Sequence, residues 1–253
     1  MTALEDFRHL TDLEWRQHYE AEHGMFIAEG CITIERALAA GLVVRSALSS
    51  GKWTSALVQL GIPKSRIEEH PDDVIEAVTG FPVHRGALAA FERPRSPAPE
   101  QLLTHARRII ITEDIVDHAN VGALMRAAAA FGVDGVVLSQ RCADPLYRRA
   151  IKVSMGTVFK VPWTRADNAI ALAHNHGFET LALTPDPEVT DIRSLPADIR
   201  STRVGLIFGS EGPGLSDAAL TAARHRVRIP MADGVDSLNV AAAAAVACYE
   251  LTR

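Results

Sequence analysis

Residues 204–251 read VGLIFGSEGPGLSDAALTAARHRVRIPMADGVDSLNVAAAAAVACYEL. An apolar run from Val204 to Phe208 stops at Gly209-Ser210-Glu211-Gly212-Pro213-Gly214. A second, Val227 to Ile229, stops at Pro230, and Ser237-Leu238-Asn239 opens an alanine-rich helix over Val240 to Tyr249. Two strand ends and one helix start therefore fall close together. In an open parallel α/β sheet, ligands sit where strands end and loops begin, so this stretch predicts a pocket built from two such loops and a helix N-terminus. Glycines let a ligand approach the backbone, and the Ser237 or Asn239 side chain can satisfy the free N–H groups that open the helix. The five alanines from Ala241 to Ala245 give high helix propensity and permit close packing.

Three familiar glycine-rich turns do not fit. A phosphate-binding P-loop needs a Lys after its last glycine, and none follows here. A dinucleotide fold carries G-x-G-x-x-G at its first strand–helix turn, whereas this chain has G-x-x-G-x-G late and with an acid inside it. A nucleophile elbow needs G-x-S-x-G, and Phe208 stands in place of the first glycine.

Outward from this stretch, short apolar runs alternate with helical segments. ARRIIITEDI holds a buried-type strand, Asn120 to Phe131 a helix ended by Gly132, and Gly135 to Leu138 a strand. A helix is predicted over Pro145 to Val153, a strand at VFKVPW, a helix over Ile170 to His176 and a strand at ETLALT. Such alternation implies an α/β fold with a parallel sheet and helices on both faces. ERPRSPAPEQ (Glu92 to Gln101) carries three prolines among polar residues and reads as a linker. It divides the chain into residues 1–93, a linker at 94–101 and a second domain at 102–253, separable at that point. The first part begins with a polar helical segment and then alternates strands and helices from Met25 to Phe91, a small α/β domain.

Composition bounds the function. The 253 residues carry a net charge of −5, so bulk positive charge does not hold a nucleic acid and any such contact must use local patches. The three cysteines, Cys31, Cys142 and Cys248, are widely spaced and suggest neither a disulfide framework nor a cysteine zinc site. No apolar run approaches the ~18 residues of a membrane span, and no leader pattern precedes the first domain. These features read as a cytoplasmic protein with no membrane partner.

Three segments in order, NVGALMRAAAAFGVDGVVLS (Asn120 to Ser139), GSEGPGLS (Gly209 to Ser216) and IPMADGVDSLNV (Ile229 to Val240), resemble the motifs of the SpoU branch of the SPOUT RNA methyltransferases. Departures are Asp233, where many relatives have Gly, and Ala241, where Ser is common; the motif spacing is intact. The resemblance implies a SPOUT domain ending in a trefoil knot, preceded by a ribosomal-protein-like RNA-binding domain. Chain pattern alone would not predict a knot. It further implies a homodimer through the catalytic domain, S-adenosyl-L-methionine as cofactor, and methyl transfer to a ribose 2′-hydroxyl of a structured RNA, tRNA or rRNA. A non-catalytic RNA-binding protein that retains the fold is the alternative.

Site residues follow from the residues and the resemblance together. Arg126, six residues after Asn120 on a helix of small apolar residues, is either an exposed arginine in a surface ion pair or a cation facing a cleft. The resemblance favours the second and places Asn120 in the catalytic pocket. Because a guanidinium is a poor general base, Arg126 is expected to bind phosphate and stabilise a developing alkoxide. Glu211 is either a solvated loop acid or a group that orients the pocket; the resemblance makes it catalytic, with Ser237 and Asn239. It also assigns the cofactor to Thr184, Gly209, Glu211, Gly212, Ile229, Pro230, Leu238 and Asn239. His84, Arg85, Arg148 and Arg149 are candidate RNA contacts, with solvated charge as the plain alternative for each. His174 and His176 lack an acid in register, so no metal is expected.

Overall fold

The structure is a computed structural model that describes residues 3–83 and 87–251. His84 and Arg85 lie outside the described residues. The chain forms two compact units: one runs up to Arg95 and takes in Leu146–Phe159, and the other comprises Ser96–Pro145 and the chain from Lys160 onward.

The first unit contains α1 (Leu13–Glu22), β1 (Met25–Glu29), α2 (Cys31–Ala39), β2 (Val44–Ser49), α3 (Gly51–Gln59), β3 (Ile67–Glu69), α4 (Asp72–Thr79) and β4 (Leu88–Glu92). Its sheet has the order β1-β4-β2-β3, with β4 antiparallel to both neighbours and β2 parallel to β3. The polar helix α1 starts where the Asp12 carboxylate accepts the Trp15 N–H at 3.0 Å. It turns a charged face inward: Arg16 is buried, 2.7 Å from Glu20 and 2.8 Å from the Asp6 carbonyl. An i,i+4 Arg–Glu pair reads as a surface feature in sequence, and only the fold around it makes it a buried one.

The second unit contains α5 (Pro99–His105), β5 (Arg108–Thr112), α6 (His118–Ala130) and β6 (Gly135–Leu138). After the excursion carrying α7 (Arg148–Val153) it continues with β7 (Trp163–Arg165), α8 (Ala169–Asn175), β8 (Phe178–Leu183), β9 (Thr190–Asp191) and α9 (Ala197–Ser201). Then come β10 (Arg203–Phe208), α10 (Asp217–Ala222), β11 (His225–Arg228) and α11 (Val240–Leu251). The seven strands run in the order β7-β6-β5-β10-β8-β11-β9, every pairing parallel. Both faces of such a sheet are covered, which is why Ile109, Ile110 and Ile111 in β5 are all buried and show no alternation. Pro99 sits in the first turn of α5, so the proline-rich stretch passes into a helix before Gln101.

Two sequence expectations are corrected. VFKVPW is not a strand: Thr157–Lys160 forms a 3₁₀ turn and β7 begins only at Trp163, after Pro162, which has no N–H for a ladder. The linear stretch 102–253 is also interrupted. Leu146, Ala150, Ile151 and Val158 are buried in the first unit's grouping, where the Phe159 ring lies 5.6 Å from that of Phe26 and Arg36 Nη1 donates to the Met155 carbonyl at 2.5 Å. Among the described residues no helix is long and apolar enough to cross a membrane.

Candidate active site

The loops after β8, β10 and β11 all leave the carboxyl ends of neighbouring parallel strands. They enclose a cavity of about 510 Å³, within the range of small-molecule sites. Leu183 and Thr184 form one side, Gly209 to Leu215 a second, and Ile229, Met231 and Ser237 to Val240 a third. Thr184 N–H donates to the Val227 carbonyl at 3.0 Å, tying the first side to β11.

The β10 loop folds back on itself. Ser210 and Gly214 pair as an isolated bridge, with Gly214 N donating to Ser210 O at 3.1 Å. A Cβ on Gly209 would overlap the backbone of Gly214 and Leu215, so only glycine fits there. The close approach of Gly209 to Gly214 and Leu215 lets the loop fold back beside the cavity, whose lining also includes Leu183, Phe208, Ile229 and Leu238.

At the rim, three side chains join segments far apart in sequence. The Asn120 amide donates to the Glu211 carboxylate and its oxygen accepts from Asn239 Nδ2 at 2.8 Å. Asn120 is delivered by α6, whose N-terminus is capped by Asp117: its carboxylate accepts the Ala119 N–H at 2.5 Å and the Asn120 N–H at 3.3 Å. Asn239 is delivered by α11 and caps it, its Oδ1 accepting from Ala241 N at 3.0 Å and Ala242 N at 3.3 Å. Ser237 stands two residues earlier, in the cavity wall.

Of the residues singled out from sequence, Thr184, Gly209, Glu211, Gly212, Ile229, Ser237, Leu238 and Asn239 line the cavity. Pro230 does not, although Ile229 before it does. Arg126 lies on α6, exposed and outside the lining, and makes no hydrogen bond or ion pair among the described residues. Arg148 is engaged elsewhere: Nη1 is 2.5 Å from Glu29, Nη2 donates to the Leu10 carbonyl at 3.2 Å, and the guanidinium lies over the Phe81 ring. Lys152 joins it on Glu29 at 2.6 Å, so Glu29 anchors the excursion; Arg149 remains exposed. His174 and His176 bond separately, to Thr180 Oγ1 at 2.8 Å and the Leu172 carbonyl at 2.9 Å. Among the described residues no group of three His, Cys, Asp or Glu converges.

Sequence reasoning passed over Glu113 and Ser216. Glu113 accepts from Ser216 N at 2.8 Å and from the Ser216 hydroxyl at 2.7 Å. The available signal was position: an acid placed directly after a buried parallel strand stands at the edge where ligands bind.

Comparison with known proteins gives the family. The sequence profile of the SpoU rRNA methylase family matches residues 107–249. An uncharacterised tRNA/rRNA methyltransferase of Mycobacterium bovis is 39% identical over 257 residues, covering 99% of this chain and 88% of that protein. The chain belongs to the SpoU rRNA methylase family. Two solved structures share its fold. An AdoMet-bound rRNA methyltransferase from Sinorhizobium meliloti has a TM-score of 0.81 at 24% identity, covering 99% of this chain and 94% of that one. The SpoU methyltransferase AviRb from Streptomyces viridochromogenes has a TM-score of 0.83 at 22% identity, covering 100% and 97%. The matched residues hold all three segments quoted above, so family membership and cavity rest on the same part of the chain.

Proposed function

We propose that the protein is an S-adenosylmethionine-dependent methyltransferase acting on a ribose 2′-hydroxyl of tRNA or rRNA. The observation that carries this reading is the cavity at the carboxyl ends of β8, β10 and β11 with the Asn239–Asn120–Glu211 chain on its rim. A cavity of this size, formed by loops at the carboxyl ends of parallel strands, suits a small cofactor, and the AdoMet-bound relative of the same fold supports that assignment. Gly209, Gly212, Ile229, Leu238 and Thr184 would hold it. When bound, the cofactor supplies an electrophilic methyl group on a sulfonium, for which positioning and loss of charge suffice and no metal is needed.

The chain's own groups act on the RNA side. Asn120, fixed by two hydrogen bonds, orients Glu211 and Asn239 at the mouth. Ser237 adds a hydroxyl to the same wall. Arg126, free of protein partners among the described residues, is available to grip a phosphate and to stabilise the alkoxide as the 2′-hydroxyl loses its proton to water or to that phosphate. The first unit is the RNA reader, with Arg149, His84 and Arg85 as contacts; Arg148, held by Glu29, contributes structure instead. Within this reading the enzyme works in the cytoplasm as a homodimer joined through the second unit, and α11 is the helix of a trefoil knot.

Mapping 2′-O-methyl sites in tRNA and rRNA from cells with and without the gene tests the reading. A site lost on deletion and restored by the purified protein with S-adenosylmethionine is expected. An unchanged methylation map, with RNA binding retained, would mean a non-catalytic RNA-binding protein.

A further inference from the structure

Glu113 is the first residue after β5 and is not part of the cavity wall. It nonetheless grips both ends of the loop that is. Its own N–H donates to the carbonyl of Phe208, the residue before Gly209, at 2.8 Å. Its carboxylate spends both oxygens on Ser216, the residue after Leu215: Oε2 accepts the backbone N–H at 2.8 Å and Oε1 accepts the hydroxyl proton at 2.7 Å. The Ser216 oxygen in turn accepts from Ala219 N at 3.1 Å and caps α10.

The loop so enclosed needs an outside clamp. Gly209, Gly212 and Gly214 make it rich in residues with large conformational freedom, and Gly212 and Gly214 hold positive φ values of 89° and 75°. Its internal ties join Ser210 to Gly214, through the backbone bridge and a Ser210 hydroxyl that donates to the Gly214 carbonyl at 3.4 Å, and the Asn120–Glu211 bond reaches in from α6. A carboxylate that accepts two hydrogen bonds at once makes charge-assisted contacts, stronger than neutral ones. A ligand that binds only the folded-back loop loses affinity in proportion to the fraction of molecules in which the loop is open.

We infer that Glu113 is a positioning residue for the cofactor, acting through Ser216 to hold the Gly209–Leu215 loop in its binding shape. The inference rests on the cofactor reading above. It is distinct from the role of Asn120, which meets the same loop at Glu211.

The test is calorimetric titration of the full-length protein with S-adenosylmethionine, beside initial rates on total RNA from cells lacking the gene. Glu113→Ala should weaken cofactor binding and raise its KM by about tenfold or more, while kcat at saturating cofactor stays within about threefold of wild type. Glu113→Gln should recover part of the affinity. Its carbonyl oxygen can still take the Ser216 N–H, but its amide cannot accept the hydroxyl proton. Glu113→Gln also keeps the assay informative should the alanine variant prove unstable. Wild-type affinity in both variants, or a loss confined to kcat, would overturn the inference and leave the methyltransferase reading intact. A wild-type protein that takes up no S-adenosylmethionine would overturn both.

Discussion

Asn239 donates its side-chain N–H to Asn120 at 2.8 Å, while its oxygen caps the helix α11 that follows. One amide thereby does two jobs that a single-function residue could not combine. It fixes the start of the C-terminal helix, and it holds the residue that orients Glu211.

These jobs can be separated. Asn239→Asp keeps an acceptor for Ala241 N and so retains the cap, but it faces the Asn120 oxygen with another oxygen. Its melting temperature should stay close to wild type while cofactor affinity falls. Asn239→Ala should lose both, with the missing cap costing ~0.5–2 kcal/mol of stability. Denaturation curves beside cofactor titrations measure the two effects; equal affinities for Asp and Asn at this position would dissolve the proposed chain.

Arg126 should matter for rate and not for cofactor. Removing one donor that stabilises developing charge typically costs ~10²–10³-fold, so Arg126→Ala should slow single-turnover methylation by that much with cofactor affinity little changed. Arg126→Lys should recover only part, because a point charge does not reproduce a planar fork on a phosphate. Near-normal turnover in Arg126→Ala would remove it from the mechanism.

The excursion makes the linker a poor place to cut. A fragment beginning at Ser96 would leave Leu146, Tyr147, Ala150, Ile151 and Val158 without the residues they are grouped with, and Arg148 and Lys152 without Glu29. We expect it to bind a hydrophobic dye and to melt lower than the full chain. A fragment that melts like the full chain without dye binding would show that the excursion packs adequately alone.

Burial pushes the Cys248 thiol up to about 12, and desolvation also raises that of the partly exposed Cys31. Near pH 8, Cys31 should react first with a thiol reagent, with Cys248 and the buried Cys142 following only in denaturant. A thiol whose folded value lies above the ~8.5 of an unfolded one stabilises fully below that pH and progressively less above it. Cys248 therefore contributes a loss of stability from about pH 8.5 upward. Equal native reaction rates for all three thiols would contradict this ordering.

Local chemistry alone determined much of this protein. Apolar runs ended by Gly or Pro placed the strand ends at Phe208 and near Ile229, Asn239 was legible as a helix opener, and the three motif segments identified the family. Each of these is a property of a few consecutive residues, set by backbone conformational freedom and by the need to satisfy free N–H groups. Only the tertiary structure decided which of them meet. Asn120 reaches both Glu211 and Asn239 at the rim, and the strand order setting β5 beside β10 lets Glu113 grip both ends of the Gly209–Leu215 loop. The same holds for Arg148, a surface-type cation in the sequence and a clamp on Glu29 in the fold, and for the buried Arg16. Hydrophobic periodicity states which face of an element is buried and not which neighbour buries it. A charged side chain therefore acquires its role only when the packing of distant segments has chosen its partner.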